Sequence, residues 1–330
     1  MLDPRTLGLV GGVLLLLGLA SAVVRVLRKR ADSGLDPAII ETFRRRVRAS
    51  LILFSGLAAA FVIGAGATIV LFGLISFWAL REFITLTPTR PGDHRTLFWV
   101  FFLCTPLQYV LVWLGRFEPF SNYELFSVLI PVYAFLLIPA RIALSGDYKR
   151  FLERTAKIQV GLLVCVYCFS HAPALLHLKM PDLPDGQSDP YRTTRLLFFF
   201  VLMVQLSDAL QYAWAQMPSK HLVAPTISPA RTWEGLLGGT ASVTLIGAAL
   251  WWATPFQGAS WWMAALMSTV ISLMGFAGGM TMSAIKRDRG VKDYGTLVEG
   301  HGGVLDRIDS ICFAAPVFFH LTRIWLKAVS

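Results

Sequence analysis

The residues whose types and spacing could do chemistry lie together in residues 283–309, between two apolar runs. This stretch contains five Lys or Arg residues and five Asp or Glu residues. Its charged side chains and its histidine are Lys286, Arg287, Asp288, Arg289, Lys292, Asp293, Glu299, His301, Asp306, Arg307 and Asp309. Carboxylate oxygens bind Mg²⁺, and fixed cations neutralise the charge that builds on phosphates. The composition therefore predicts phosphoryl transfer to or from a nucleotide.

The ends of two helices are expected to position these groups. Lys286 and Arg287 end the preceding helix, where cations suit the negative end of the helix dipole. Residues 300–303, Gly-His-Gly-Gly, predict a turn whose backbone can come close to a ligand. Asp306 and Asp309 open the next helix three residues apart, so both carboxylates lie on one face.

These positions together resemble the signature of the phosphatidate cytidylyltransferase (CDP-diacylglycerol synthase) family. The residues that match are Ser283, Lys286, Arg287, Lys292, Asp293, His301, Gly302, Gly303, Asp306, Arg307, Ile308 and Asp309. Agreement at so many fixed positions within one short stretch is a specific signal. The competing interpretation is a solvated loop whose charges only fix membrane topology.

A second segment extends the resemblance. Asp208 stands in a long apolar run, and a carboxylate in a membrane helix is costly unless it faces a partner or a polar cavity. The family carries an Asp followed four residues later by an aromatic residue, as Asp208 and Tyr212 do here. It then has a loop similar to residues 228–235, followed by a glycine pair such as Gly238-Gly239. For Asp208 alone, a structural pair with a buried Arg or Tyr is the alternative.

The loop at residues 228–235 is predicted to begin a helix. Ser228 or Thr232 can cap that helix, whose first N–H groups could meet a phosphate. Arg231 stands where the family commonly has Lys, which keeps the cation but changes its geometry. A helix start without nucleotide contact is the alternative.

The resemblance implies the following roles. The metal ligands for Mg²⁺, with a second cation left open, are Asp306, Asp208 and Asp309. The catalytic residues are Asp306, Asp309, Lys286, Arg287 and His301, with His301 as either an acid for the leaving group or a turn residue. The substrate-binding residues are Ser283, Lys292, Asp293, Arg307, Ser228, Arg231, Thr232, Gly302 and Gly303, and the two glycines would turn backbone N–H groups toward phosphate oxygens.

Two further departures from the family pattern accompany Arg231. Family members commonly have Gly-Asp-Leu where this chain has Gly278-Gly279-Met280, so Gly279 removes a candidate metal-ligand carboxylate. Val298-Glu299 replaces an apolar-Pro pair, and Glu299 could supply a replacement acid. These changes indicate a divergent branch and leave the lipid acceptor and the number of metal ions open.

The composition of the whole chain indicates that this chemistry takes place at a membrane. Its 330 residues are 55% hydrophobic and 15% charged, with a mean hydropathy of +0.60, which predicts an all-α polytopic integral membrane protein. The net charge of +10 fits basic cytoplasmic loops and does not indicate a nucleic-acid partner. The four cysteines fall in apolar runs, so no extracellular disulfide framework is implied.

About nine or ten transmembrane helices are expected. The candidate spans are residues 7–27, 51–80, 97–114, 125–139, 158–176, 196–217, 236–256, 261–285 and 311–325. Residues 7–27 are interpreted as a retained anchor rather than a cleaved signal peptide. Residues 51–80 are long for one helix and short for two, and two helices turning at Gly64-Ala65-Gly66 are favoured.

The expected organisation has three parts. Residues 1–95 form membrane anchor helices with a basic cytoplasmic segment, residues 96–190 form the middle helices, and residues 191–330 form the catalytic region. The alternation of basic loops places the active site on the cytoplasmic face, in what we expect to be a bacterial inner membrane. The family precedent implies a homodimer.

The resemblance implies transfer of a cytidylyl group from CTP to phosphatidate, giving CDP-diacylglycerol and pyrophosphate in phospholipid synthesis. Membrane lipids surround the chain in this interpretation. Three alternatives stay open: transfer to another lipid phosphate, a non-catalytic relative that binds lipid or nucleotide, and a transporter with Asp208 as a coupling site. A transporter would scatter its charges through several spans near the midplane, whereas here they gather at one face.

Overall fold

The computed structural model describes residues 6, 8, 10–15, 18, 37–86, 89–115, 117, 123–180, 189, 191–217, 221–254, 261–295 and 302–329. The chain divides into two compact units, Met1–Thr68 and Ile69–Ser330. Of the predicted anchor at residues 7–27, the described residues 8, 10–15 and 18 are helical, and the remainder lies outside the described part.

The apolar run at residues 51–80 is divided between two helices, as the sequence predicts. Helix α1 is Pro37–Ile63 and helix α2 is Ala65–Thr85. Gly64 separates them at φ 131°, a backbone conformation that side-chain-bearing residues rarely adopt. Both helices are longer than expected, because α1 extends back into the basic segment and α2 continues past residue 80.

Seven helices in the described part of the chain are long and apolar enough to cross a bilayer, so the protein is an all-α polytopic membrane protein. They are α2, α3 (Pro91–Leu114), α4 (Tyr123–Ala143), α5 (Phe151–His177), α6 (Arg192–Trp214), α8 (Trp261–Asp288) and α9 (Leu305–Val329). The predicted span at residues 236–256 is instead helix α7, Trp233–Ala249, with 17 residues. A helix of that length covers only about 25 Å, less than the roughly 30 Å hydrocarbon core.

Helix α6 lies at the centre of the second unit. Residues 196–204 are all buried, which is the pattern of a helix surrounded by others rather than of one with a lipid-facing side. It packs against α7 and α8, while α8 packs along α9 and α9 also contacts the second half of α5. This arrangement brings the C-terminal parts of α6 and α8 beside the N-terminal part of α9.

Glycines on α7 allow its close approach to α6. A Cβ atom at Gly239 would lie 2.6 Å from Gln211 Cγ, and one at Gly235 would lie 2.7 Å from the Gln211 carbonyl oxygen. Small residues at such positions let helix backbones pack closely within membranes. Gly235 and Gly239 are therefore explained by helix packing rather than by contact with a ligand.

A β-hairpin connects α6 to α7. Strand β1 is Leu222–Ala224 and strand β2 is Ser228–Thr232, and they pair in antiparallel fashion with an irregularity in register. The hairpin carries the polar segment that the sequence singled out at residues 228–235.

Candidate functional site

Two carboxylates from different helices meet at one hydroxyl group. Asp208 lies on α6, and Asp309 and Ser310 lie in the second turn of α9. The Ser310 hydroxyl lies 3.0 Å from Asp208 Oδ1 and 3.4 Å from Asp309 Oδ1. The sequence prediction placed Asp208 close to the signature stretch, and the helix packing brings them together.

Asp306 has different partners, although it precedes Asp309 by one helical turn. Its Oδ1 atom accepts a hydrogen bond of 2.7 Å from Lys286 Nζ, and its Oδ2 atom accepts bonds from the backbone N–H groups of Tyr294 at 2.8 Å and Gly303 at 2.9 Å. The two oxygens of Asp306 therefore hold Tyr294, Gly303 and the Lys286 ammonium group in place. The Tyr294 phenol donates to the Met282 carbonyl oxygen, and burial raises the pKa of this phenol, which keeps its proton in place.

The N-terminus of α9 is capped by a residue from a distant part of the chain. Glu82, buried on α2, accepts hydrogen bonds from the N–H groups of Val304 at 3.0 Å and Leu305 at 2.8 Å. A carboxylate at this end of a helix is favourable because it satisfies unpaired N–H groups and meets the positive end of the dipole. Any Cβ atom at Gly303 would overlap the Glu82 carboxylate, so glycine is required there.

Arg231 reaches from β2 into the space above Gly279 on α8. Its guanidinium lies 4.9 Å from the centre of the Phe276 ring, and its Nη1 atom lies 3.4 Å from Gln211 Oε1. A Cβ atom at Gly279 would lie 2.8 Å from Arg231 Cζ and would overlap Nη2. Two of the three departures from the family pattern, Arg231 and Gly279, are therefore in direct contact, because the guanidinium fills the space that a carboxylate side chain at position 279 would need.

Asp309 is surrounded by charged groups from three elements. Asp208, Arg231 and Lys286 all act electrostatically on its carboxylate. The arrangement places two carboxylates and two cations where α6, β2, α8 and α9 converge. This is the set of charges that binding of a metal–phosphate complex requires.

The structure also places the other predicted residues of α8, of the segment after it and of the first turn of α9. The Ser283 hydroxyl donates to the Gly279 carbonyl oxygen at 2.6 Å within α8. Arg287 Nε donates to the Ile227 carbonyl oxygen at 3.2 Å and so connects the end of α8 to the hairpin. Lys292 and Asp293 are exposed in the loop after α8, and Arg307 is half-buried in the first turn of α9.

The predicted helix cap is formed by Thr232. Its hydroxyl accepts a hydrogen bond of 3.0 Å from the Gly235 N–H group, whereas Ser228 begins strand β2. The Gly303 N–H group donates to Asp306 Oδ2 at 2.9 Å, and its predicted contact with a phosphate stays a prediction. Gly302 adopts φ 79° beside Asp293, which explains a glycine there by the backbone conformation.

Three predicted positions lie outside the described residues: Glu299, Gly300 and His301. Their roles as a replacement acid, a turn residue or an acid for the leaving group stay predictions.

Sequence reasoning missed three residues that organise the site. Glu82 lies at the end of a long apolar run, Ser310 follows the signature directly, and Gln211 lies within the apolar run of α6. Gln211 Nε2 donates to Ser207 Oγ at 2.9 Å, while its Oε1 atom faces Arg231. A signal was present for Glu82 and Gln211, because each is a polar residue in a long apolar segment.

The donor set at Asp208 and Asp309 fits a hard divalent cation. Both groups offer carboxylate oxygens, the ligands that Mg²⁺ prefers, and one oxygen of each lies within 3.4 Å of the same Ser310 hydroxyl. In the described part of the chain, no three His, Cys, Asp or Glu side chains converge to form a complete metal cage. Mg²⁺ bound to a nucleotide is usually held by one or two protein carboxylates, and the substrate and water supply the remaining ligands.

Comparison with known proteins decides the family. Residues 44–325 match the cytidylyltransferase family, which is most of the chain. The chain belongs to the cytidylyltransferase family. Family membership explains why two separated segments, one around Asp208 and one around Asp306, both match the pattern of this family.

Three relatives of this chain show how far the similarity extends. It is 38% identical over 260 residues to a protein of Escherichia coli strain K12 with the name uncharacterized protein YnbB, covering 78% of this chain and 79% of that protein. It is 34% identical over 121 residues to the phosphatidate cytidylyltransferase of Staphylococcus haemolyticus, and 36% identical over 121 residues to that of Staphylococcus aureus strain COL. Each staphylococcal match covers 37% of this chain and 46% of the relative.

Proposed function

We propose that this protein transfers the cytidylyl group of CTP to phosphatidate, forming CDP-diacylglycerol and pyrophosphate. The observation that carries the proposal is the convergence of Asp208 and Asp309 on Ser310, next to Arg231 and Lys286. Similarity to phosphatidate cytidylyltransferases supports the choice of lipid.

In the proposed reaction a phosphate oxygen of phosphatidate attacks the α-phosphorus of CTP. A new P–O bond forms, the bond from the α-phosphorus to the bridging oxygen breaks, and pyrophosphate leaves with that oxygen. The attacking phosphate is already ionised near neutral pH, so little general-base help is needed. The main difficulty is the repulsion between two polyanions at a membrane surface.

We assign Asp208 and Asp309 as the residues that would hold Mg²⁺, which when bound neutralises and aligns the CTP phosphates. Arg231 stacks on Phe276, which leaves the N–H groups in the plane of its guanidinium available to bind phosphate oxygens. Lys286 is held by Asp306 at the edge of the same site, where its charge faces the substrate phosphates. Asp306 is thus proposed as a positioning residue rather than a metal ligand.

Arg287, Lys292 and Arg307 are proposed to bind the lipid phosphate and the departing pyrophosphate, since they lie at the same helix ends. Ser283, Asp293, Ser228, Thr232, Gly302 and Gly303 shape the loops around them. We further propose that the site faces the cytoplasm of a bacterial inner membrane and that the protein is a homodimer.

One specific observation favours a lipid phosphate other than phosphatidate as the acceptor. Arg231 occupies the space above Gly279, so the site has a guanidinium where the family pattern places a carboxylate. This change alters the charge close to the phosphates and is compatible with a different lipid phosphate as the acceptor.

The test uses the purified full-length protein in mixed micelles with labelled CTP, Mg²⁺ and phosphatidate. We expect pyrophosphate release that depends on the lipid, together with recovery of the cytidine label in the lipid fraction as CDP-diacylglycerol. Asp309→Asn should reduce turnover on the order of 100-fold, as loss of a group that stabilises transition-state charge does. The matched control is Asp288→Asn, an exposed carboxylate at the end of α8, which should retain activity.

The other outcomes separate the alternatives. Turnover with a polyisoprenyl phosphate or an ether-lipid phosphate, but not with phosphatidate, would identify another acceptor. Folded protein that binds CTP without turning over any lipid phosphate would refute the enzymatic proposal and favour a binding relative.

A further inference from the structure

A cavity of about 950 Å³ lies at the opposite end of the helices from the candidate active site. Helix α9 passes between the two places, with Asp306 in its first turn and Arg323 near its end. At a rise of about 1.5 Å per residue, these two residues are separated by roughly 25 Å along the helix axis. The cavity therefore cannot be part of the site that holds the nucleotide.

The cavity combines apolar walls with several cationic side chains. Leu111 on α3, Phe126 on α4 and Phe319 on α9 contribute to its apolar lining. In the described part of the chain, its charged lining residues are Lys179, Arg323, Lys327 and Glu124. The cationic groups favour an anionic ligand, while the apolar walls favour a ligand with a hydrocarbon part.

Arg323 is held in a fixed orientation at this cavity. Its Cζ atom lies 3.2 Å from the centre of the Tyr123 ring, and the Tyr123 hydroxyl is hydrogen-bonded to His320 Nδ1 at 3.1 Å. A guanidinium stacked on an aromatic face keeps its N–H donors available in its own plane.

Arg323 also has no anion to balance it within the part of the chain that the structure describes, where no carboxylate lies at ion-pair distance from it. It is half-buried, so its charge is only partly solvated. An oriented, half-buried guanidinium beside an apolar cavity is suited to bind the oxygens of a phosphate group in a bidentate manner.

We propose that this cavity binds the phosphate headgroup of an anionic phospholipid, with an acyl chain along its apolar wall. The ends of membrane-spanning helices lie at the level of the lipid headgroups, where such a ligand is present. The cavity volume falls within the range of about 300–1,000 Å³ that is typical of specific ligand sites. A free phosphate ion would use the cations but not the aromatic and aliphatic walls.

The experiment measures lipid binding to the full-length protein in detergent. Phosphatidylglycerol, phosphatidylcholine and inorganic phosphate are titrated separately, with binding followed by native mass spectrometry and by the midpoint of thermal unfolding. We expect saturable binding of phosphatidylglycerol that raises the midpoint, weaker binding of phosphatidylcholine, and no stabilisation by inorganic phosphate.

Variants assign the binding to this cavity. Arg323→Gln should weaken phosphatidylglycerol binding by about tenfold or more, because a charge-assisted hydrogen bond is lost, and Arg323→Lys should weaken it less. Lys149→Gln, an exposed cation near the active-site end, is the matched control and should leave the affinity unchanged. Lys327→Gln provides a second, more exposed variant if Arg323→Gln does not fold.

Three results would overturn the proposal. Equal affinity for phosphatidylglycerol and phosphatidylcholine would remove the role of charge, and equal stabilisation by inorganic phosphate would indicate an anion site without lipid. A change of oligomeric state in Arg323→Gln without a change of lipid affinity would make the cavity a subunit contact. None of these results bears on cytidylyl transfer, so this inference and the proposed function fail separately.

Discussion

Asp306 and Asp309 lie one turn apart on α9, yet their oxygens have different partners. Asp306 binds Lys286 and two backbone N–H groups, whereas Asp309 shares the Ser310 hydroxyl with Asp208. The two carboxylates should therefore respond differently to the same substitution, which allows a metal ligand to be distinguished from a positioning residue.

We predict that Asp208→Asn and Asp309→Asn raise the Mg²⁺ concentration for half-maximal activity by about tenfold or more, since changes around a metal site have effects of at least this size. Asp306→Asn should lower kcat/KM for CTP while leaving that Mg²⁺ concentration unchanged. Mn²⁺ binding to the protein without substrate, followed by electron paramagnetic resonance, gives a readout that does not depend on turnover. A loss of Mn²⁺ affinity in Asp306→Asn equal to that in Asp309→Asn would contradict the assignment.

A second prediction concerns the contact between Gly279 and Arg231. Gly279→Ala should displace the guanidinium, because the new Cβ atom would lie 2.8 Å from Cζ. The helix itself should tolerate the change, since Ala is more favourable than Gly in a helix by about 0.5–1 kcal/mol. We expect KM for CTP to rise as it does in Arg231→Gln, without a fall in the thermal unfolding midpoint.

A double-mutant cycle checks this interpretation. In an Arg231→Gln background, Gly279→Ala should have little further effect on KM, because the group that it displaces is already absent. Independent, additive effects of the two substitutions would show that Gly279 acts in some other way.

At the scale of elements, the N-terminus of α9 depends on Glu82 of α2. Glu82→Gln keeps the size of the side chain but removes its charge and replaces one acceptor oxygen by a donor. We predict a loss of about 1–3 kcal/mol of stability, the cost of leaving a buried hydrogen-bonding group without a partner. The measurement is thermal unfolding in detergent, together with hydrogen exchange at Val304 and Leu305.

The matched control for Glu82 is Glu153→Gln on α5. Glu153 is at the surface and pairs with Arg150 and Arg289, and exposed ion pairs contribute little to stability. Faster exchange in the first turn of α9 for Glu82→Gln alone is the expected result. Equal effects of the two substitutions would mean that Glu82 does not act as a specific cap.

The sequence predicted elements best where the interaction is local. Thr232 was one of the two residues expected to cap α7, and its partner Gly235 is three residues away. The break at Gly64 was also expected, because it requires only a glycine between two apolar runs. The role of Glu82 could not be predicted, since its partners lie 222 and 223 residues away and nothing in the local sequence specifies them.

The candidate site was predicted in composition but not in the assignment of roles. The convergence of Asp208 with α9 followed from the cost of an unpartnered carboxylate in a membrane helix, together with the family resemblance. The partners of Asp306 depend on where Tyr294 and Gly303 lie, because their N–H groups donate to it. Tertiary contacts of Tyr294 with Met282 and of Val304 with Glu82 help to place these residues, and sequence spacing does not specify such contacts.

At the scale of the molecule, the distribution of charge between the two ends of the helices bears on topology. The active-site end includes the loop between α4 and α5, which joins the charged residues at the end of α8 through the Arg289–Glu153 pair. At this end of the helices, residues 141–157 and 286–292 contain the basic residues Arg141, Lys149, Arg150, Arg154, Lys157, Lys286, Arg287, Arg289 and Lys292. An excess of Lys and Arg marks the cytoplasmic side of a membrane protein.

We therefore predict that the active-site end is cytoplasmic, where CTP is available. Single cysteines at Lys292 and at Ala328 mark the two ends, because both residues are exposed. In a background without the native cysteines, a membrane-impermeant maleimide should label Ala328→Cys in right-side-out vesicles and Lys292→Cys only in inverted or permeabilised vesicles. Labelling of Lys292→Cys in intact right-side-out vesicles would place Asp208 and Asp309 on the side away from CTP, and the proposed reaction could not take place there.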